Sequence, residues 1–136
     1  MNLTFHAEPR HGYVFVTAGG RFDLASAKKF AGQTLEACGR FGMSKALIDC
    51  RDVKGSVSVG DRYEYAVFVS VLHRQYGDRH KRQLRVAYVG NVPLIDPLRF
   101  GETVGRNRGA MVKATTDMDE GLAWLGVEQV SAAMSS

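Results

Sequence analysis

The chain has 136 residues, a formal charge of +4, 45% hydrophobic residues and 24% charged residues. That size and balance suit one soluble domain with its own core, and they exclude a collagen, a coiled coil and a disordered chain. The basic excess is too mild to point to nucleic acid or an anionic surface. No apolar run reaches the ~18 residues of a membrane span, and the opening MNLTFHAEPRH is too polar for a secretory signal, so a cytoplasmic location is expected. Cys38 and Cys50 form no C-x-x-C and lie inside apolar patterns, as buried free thiols of a reducing compartment do.

Leu3 and Phe5 alternate with Thr4 and His6, the period of a half-buried strand. Residues 8–12 (EPRHG) read as a turn, and residues 13–18 (YVFVTA) as a second strand that Gly19 and Gly20 break. The two strands are expected to form an antiparallel hairpin. Asp23 then stands as an N-cap. Leu24, Ala27, Phe30, Ala31, Leu35, Cys38 and Phe41 follow at helical spacing, and Gly42 supplies the stop.

Ala46, Leu47 and Ile48 form a short apolar run closed by Asp49, as in a central strand covered on both faces. A polar loop leads to Asp61, which the pattern makes the cap of a second helix reaching about Tyr76. Val67, Val69 and Val71 alternate as a strand would, yet Tyr65, Phe68, Val69, Leu72 and Tyr76 keep helical spacing. Length and cap favour a helix, and its apolar content predicts one that is largely buried.

Residues 84–89 (LRVAYV) read as a strand ended by Gly90 and Asn91. Asp96 and Pro97 form a cap followed by a proline, predicting a helix that Gly109 ends. Gly101 and Gly105 leave one face of that helix bare for close packing. Residues 111–114 make a last strand. Asp117 and Glu120 form a D-x-x-E capping box that opens a short helix with Met118, Leu122 and Leu125 inward, and Gly126 ends it. One domain over 1–126 and a fraying tail over 127–136 are expected.

The element order is ββαβαβαβα. It predicts an α/β fold with a mixed, mostly parallel sheet after the opening hairpin. The loops after Asp49, Gly90 and Thr116 should meet at the carboxyl edge, where open α/β sheets bind ligands.

This order, together with LIDCRDV (47–53) and DEGLAWL (119–125), resembles the SpoIIAA-like proteins of the STAS superfamily. Bacterial members are similar in a strand such as Leu47-Ile48-Asp49, a helix end such as Asn107-Arg108-Gly109 and a finish such as Ala123-Trp124-Leu125. The resemblance covers the chain up to Gly126. It implies a STAS-like fold and a non-enzymatic role in binding a protein partner. In the anti-sigma-factor antagonists of that superfamily, a serine at the start of the helix after the central strand is phosphorylated. The matching stretch here holds Ser56, Ser58 and Gly60, with Asp61 after the serines rather than an aspartate before them. The fold is also similar to that of CRAL-TRIO lipid carriers. That implies an alternative, a carrier or sensor of a small lipid-like ligand held against the sheet.

Candidate residues fall into three groups. Ser56, Ser58 and Asp61 make a phosphorylation or partner loop, because phosphate at a helix start meets free N–H groups and a favourable dipole. Plain capping would use the same residues. Asp49, Arg51, Tyr63 and Tyr65 make a ligand edge beside the central strand, although Asp49 equally suits a loop carboxylate that accepts backbone N–H bonds. Arg74, Arg79, Lys81 and Arg82 make an anion patch within a run of cations that would also complement a helix C-terminus. His73 and His80 are seven apart, not the four of a helical metal pair, so neither metal nor cofactor is expected. No G-x-S-x-G, G-x-G-x-x-G or P-loop motif occurs.

Overall fold

The computed structural model describes residues 3–127 apart from Ser56 and Pro93, and over 96–101 the backbone alone. Its elements are β1 (Leu3–Arg10), β2 (Tyr13–Arg21), α1 (Leu24–Phe41), β3 (Lys45–Lys54), α2 (Val59–His80), β4 (Arg85–Val89), α3 (Ile95–Asn107), β5 (Met111–Thr115) and α4 (Met118–Leu125). The strands lie in the order β1-β2-β3-β4-β5, with β1 antiparallel to β2 and the later neighbours parallel. This is the expected α/β order and sheet.

The hairpin is longer than its sequence punctuation. Pro9 pairs with Val14 inside β1, and only His11 and Gly12 turn, Gly12 at φ +87°. An edge strand tolerates proline because its missing N–H can be one that faces solvent. Nor do the two glycines end β2. Gly19 and Gly20 pair with Asp52 and Val53, because a neighbouring strand is there to receive them. Between Thr17 and Gly19 the register slips, since Thr17 faces Asp49 while Gly19 faces Asp52. The extra residue belongs to β3 and forms a bulge just past Asp49.

Helix α1 follows its sequence signals. Asp23 accepts from the Ser26 N–H at 2.8 Å and from its hydroxyl at 2.9 Å, and Gly42 closes the helix at φ +68°. Its buried face holds Ala27, Phe30, Ala31 and Cys38, and also Thr34, whose hydroxyl donates to the Phe30 carbonyl at 3.0 Å. Ala46, Leu47 and Ile48 of β3 are buried on both faces of the sheet. Ile48 and Cys50 share one cluster with residues of α1 and α2, whereas Leu47 joins Ala87 and Val89 beneath Leu122 and Leu125 of α4. Each such aliphatic side chain contributes about 2 kcal/mol by leaving water.

Expectations for three helices are corrected. The cap of α2 is Ser58, not Asp61, which lies in the first turn. The helix runs four residues beyond Tyr76, and it is not largely buried: Tyr63 is 48% and Val71 40% exposed. It packs between α1 and α3, which leaves its outer side to solvent. Helix α3 begins at Ile95 with Leu94 as its unbonded cap, so Asp96 and Pro97 lie inside the first turn rather than outside it. Proline is tolerated throughout that turn, and the fully buried Ile95, packed at Gly90, sets the start. In α4 the Asp117 carboxylate accepts from the Asp119 N–H, but the reciprocal half of the capping box is absent. The Asp117 N–H goes to Thr115 Oγ1 at 3.1 Å, and Glu120 pairs with Lys113 at 3.4 Å.

Candidate functional site

Because β2 to β5 run parallel, their carboxyl ends gather one set of loops. Three hydrogen bonds stitch that edge: Phe22 N–H to the Lys54 carbonyl (2.8 Å), Asn91 Nδ2 to the Arg51 carbonyl (3.0 Å) and Gly90 N–H to the Thr115 carbonyl (3.1 Å). The loops after β3, β4 and β5 therefore meet, as the element order predicts.

At the bulge, Asp49 completes the local hydrogen bonding. One carboxylate oxygen accepts from the Arg51 backbone N–H (3.1 Å) and Nε (2.9 Å), and the other from Arg51 Nη2 (2.8 Å). These bonds hold the Asp49 carboxyl below the usual carboxylate range against a smaller opposing effect of burial. A carboxylate so engaged orders the edge and is poorly placed to act as a base.

Ser58 lies exposed at the start of α2, and its Oγ accepts from the Asp61 N–H at 3.1 Å. Ser56 lies outside the described residues. Buried Val57 anchors the loop, and its carbonyl accepts from Arg62 Nε at 3.3 Å. Val59, 64% exposed, and Tyr63 follow the serine on the solvent side. Arg108 Nη2 donates to the Tyr63 hydroxyl at 3.0 Å.

The four ligand-edge residues do not form one site. Asp49 shares the α4 face of β3 with Leu47 by strand alternation, and Arg51 is tied to it. Tyr63 points outward. Tyr65 points inward and meets the Tyr88 hydroxyl at 3.0 Å, with the rings edge to face at 6.4 Å. Burial pushes both phenols above their ordinary pKa. This pair stands between two small apolar cavities of about 40 and 30 Å³.

The basic run also divides. It stays helical through His80, and Lys81 ends α2 in the left-handed conformation at φ +57°. Arg74, Lys81 and Arg82 line a cleft between α2 and the α3–β5 turn, together with Arg108. Arg79 faces the opposite groove, between α1 and α2, with Arg40. The sequence reading missed His73 and Arg108 as members of the cleft. His73 stands at helical spacing from the buried Ala66, Val69, Ser70 and Tyr76, a signal already present within the helix drawn to Tyr76.

Burial raises both cysteine thiols to about 12, which makes them poor nucleophiles. Among the described residues, no group of three or more His, Cys, Asp or Glu could hold a metal ion, and no helix is long and apolar enough to cross a membrane.

No family model matches the chain, and no curated protein matches it. Solved structures do. The chain is similar to an anti-sigma factor antagonist from Mycobacterium paratuberculosis, at 17% identity over 92% of this chain and 95% of that one, with a TM-score of 0.55. It is also similar to an uncharacterized protein of the DUF3478 family with a SpoIIAA-like fold from Shewanella loihica. There the identity is 21% over 91% and 93% of the two chains, with a TM-score of 0.50. The fold is SpoIIAA-like, as the sequence resemblance implies.

Proposed function

We propose that residues 1–126 are a single non-enzymatic regulatory domain that acts in the cytoplasm by binding a protein partner at the carboxyl edge of its sheet. Val127 still packs against the α4 cluster, and residues 128–136 lie outside the described residues. The observation that carries this is the exposed Ser58 hydroxyl at the start of the longest helix, followed on the solvent side by the exposed apolar groups of Val59 and Tyr63. Apolar side chains beside a modifiable serine give a partner both contact area and a switch. A phosphate on Ser58 would add about −1.5 to −2 charges next to Asp61, whose like charge turns it outward toward the partner. The engaged Asp49 and the inert thiols support a binding role over a catalytic one. The fold shared with an anti-sigma factor antagonist supports it too.

The test is mass spectrometry of the native protein combined with partner capture by immobilised wild type, Ser58→Asp and Tyr63→Ala. Phosphoserine at position 58 and about tenfold weaker capture by both variants are expected. Unmodified Ser58 with undiminished capture by both would sink the reading.

A second reading, the lipid-like carrier, rests on the Tyr65–Tyr88 pair between its two cavities. Ligand sites usually offer about 300–1,000 Å³, so such a ligand would have to part α2 from the sheet. Native mass spectrometry of the purified protein decides this: a retained apolar adduct supports the carrier, and a clean apo mass removes it.

A further inference from the structure

The cleft on the far side of α2 has a volume of about 520 Å³, within the range of small-molecule sites. One helical stripe of α2 lines it, from Ser70 through His73, Arg74 and Asp78 to Lys81. Arg82 and Arg108 close the other side. Four cations thus surround the cleft against the single carboxylate of Asp78. Among the described residues none of the four forms an ion pair with a carboxylate. Arg82 gives one donor to the Gly42 carbonyl at 3.0 Å and Arg108 one to Tyr63, which leaves each guanidinium with further N–H groups.

Cations at a helix C-terminus have an ordinary explanation, since they complement the dipole. His73 does not fit that explanation. It is only 7% exposed, lines the cleft, and its buried Nδ1 has no hydrogen-bond partner. Buried polar groups are nearly always satisfied, and this one lies behind the cleft wall, so a ligand in the cleft would complete its bonding only if the ring turned toward it. Burial lowers the His73 pKa to about 4, so the ring is neutral near pH 7 and carries one N–H.

We propose that this cleft binds the phosphate or diphosphate group of a small molecule, with Arg74, Lys81 and Arg108 supplying charge and His73 a neutral N–H donor. Guanidinium groups match phosphoryl oxygens in geometry as well as in sign. The site lies at the opposite end of α2 from Ser58, roughly 30 Å away at 1.5 Å of rise per residue. Arg108 links it to the proposed partner edge through its hydrogen bond to the Tyr63 hydroxyl.

The test is calorimetric titration of the full chain with inorganic pyrophosphate and, separately, with adenosine diphosphate, alongside NMR of the histidine side chains. Saturable 1:1 binding with a Kd below about 1 mM is expected, with the His73 resonances moving along the same isotherm. Arg74→Gln/Lys81→Gln should weaken it about tenfold or more. Arg40→Gln/Arg79→Gln removes the same charge from the opposite groove and should leave it unchanged. Tighter binding of adenosine diphosphate would assign a nucleotide, and equal binding the phosphate group alone. Equal weakening by the two charge pairs would overturn the proposal in favour of diffuse surface attraction. So would His73 resonances that do not move, or no saturation by about 10 mM of either probe.

Discussion

Removing the Asp49 carboxylate would leave the Arg51 N–H at the β3 bulge without its side-chain acceptor. Arg51 is exposed, so water can replace that acceptor, and Asp49→Ala should cost about 0.5–1.5 kcal/mol in urea unfolding. Asp49→Asn keeps an acceptor for that N–H and loses the charge pair with Arg51, so it should cost less. The two variants also separate in acid. Folding depresses the Asp49 pKa, so the stability it adds is complete above its unfolded value of about 4 and is lost as pH falls through the lower folded value. Between pH 6 and pH 2, Asp49→Asn should lose less stability than wild type, and parallel acid profiles would refute this. The sequence showed an acid closing an apolar run. It did not show the slipped register between β2 and β3, because a bulge is a relation between two strands. Without it, Asp49 reads either as a ligand-edge acid or as a loop carboxylate accepting backbone N–H bonds, with no way to say which N–H it would meet.

Helix α2 depends on its ends more than on an apolar stripe. Its valines serve two periods at once, and its exposed and buried positions are both mixed in polarity. The Ser58 cap is accordingly worth testing by itself: Ser58→Ala should cost about 1 kcal/mol in thermal or urea unfolding. Aspartate caps as well as serine does, so Ser58→Asp should unfold close to wild type. That matters for the partner experiment, since a loss of capture by Ser58→Asp is then not a loss of fold. Helix α4 is held differently, by close approach. A Cβ added at Gly121 would lie 3.1 Å from Val89 Cγ2 and 3.4 Å from Leu47 Cδ1, both in a packed layer. Gly121→Ala should cost about 1–3 kcal/mol by overpacking, read in the same unfolding assay, and a neutral result would show that the layer can yield. Helices with one dominant stripe or a local cap, such as α1, were legible to the residue. The starts of α2 and α3 were not. Ser58 and Asp61 are equally good caps in isolation, and Asp96 lost to the burial of Ile95, a tertiary effect.

At the scale of the molecule, a parallel sheet gives the chain two unlike ends. The carboxyl edge gathers the bulge, Ser58 and the loop after β4. The other end gathers the last turns of α2 and α3, and with them a large part of the basic excess. The sequence revealed the charge run but not its division. Ending the helix near Tyr76 left Arg79 and Lys81 as neighbours in a loop. Continued to His80, the helix turns Arg79 away from the stripe that carries Arg74, Asp78 and Lys81. One helix therefore touches both proposed sites, which raises the question of whether they communicate. Coupling needs an element with two arrangements that each ligand weights differently. Helix α2 is one continuous helix, capped at both ends and packed between α1 and α3. Ser58 and the Arg74–Lys81 stripe lie about 24–35 Å apart on such an element and should act additively, whereas Arg108 and Tyr63, which share a hydrogen bond, should not. Pyrophosphate should therefore bind Ser58→Asp and wild type within about twofold of each other, and Arg74→Gln/Lys81→Gln should capture partner as wild type does. Calorimetry and partner capture on the same preparations check both halves. A tenfold change in either would mean that α2 has a second packed position, and that the two ends of the sheet are a coupled pair rather than independent surfaces.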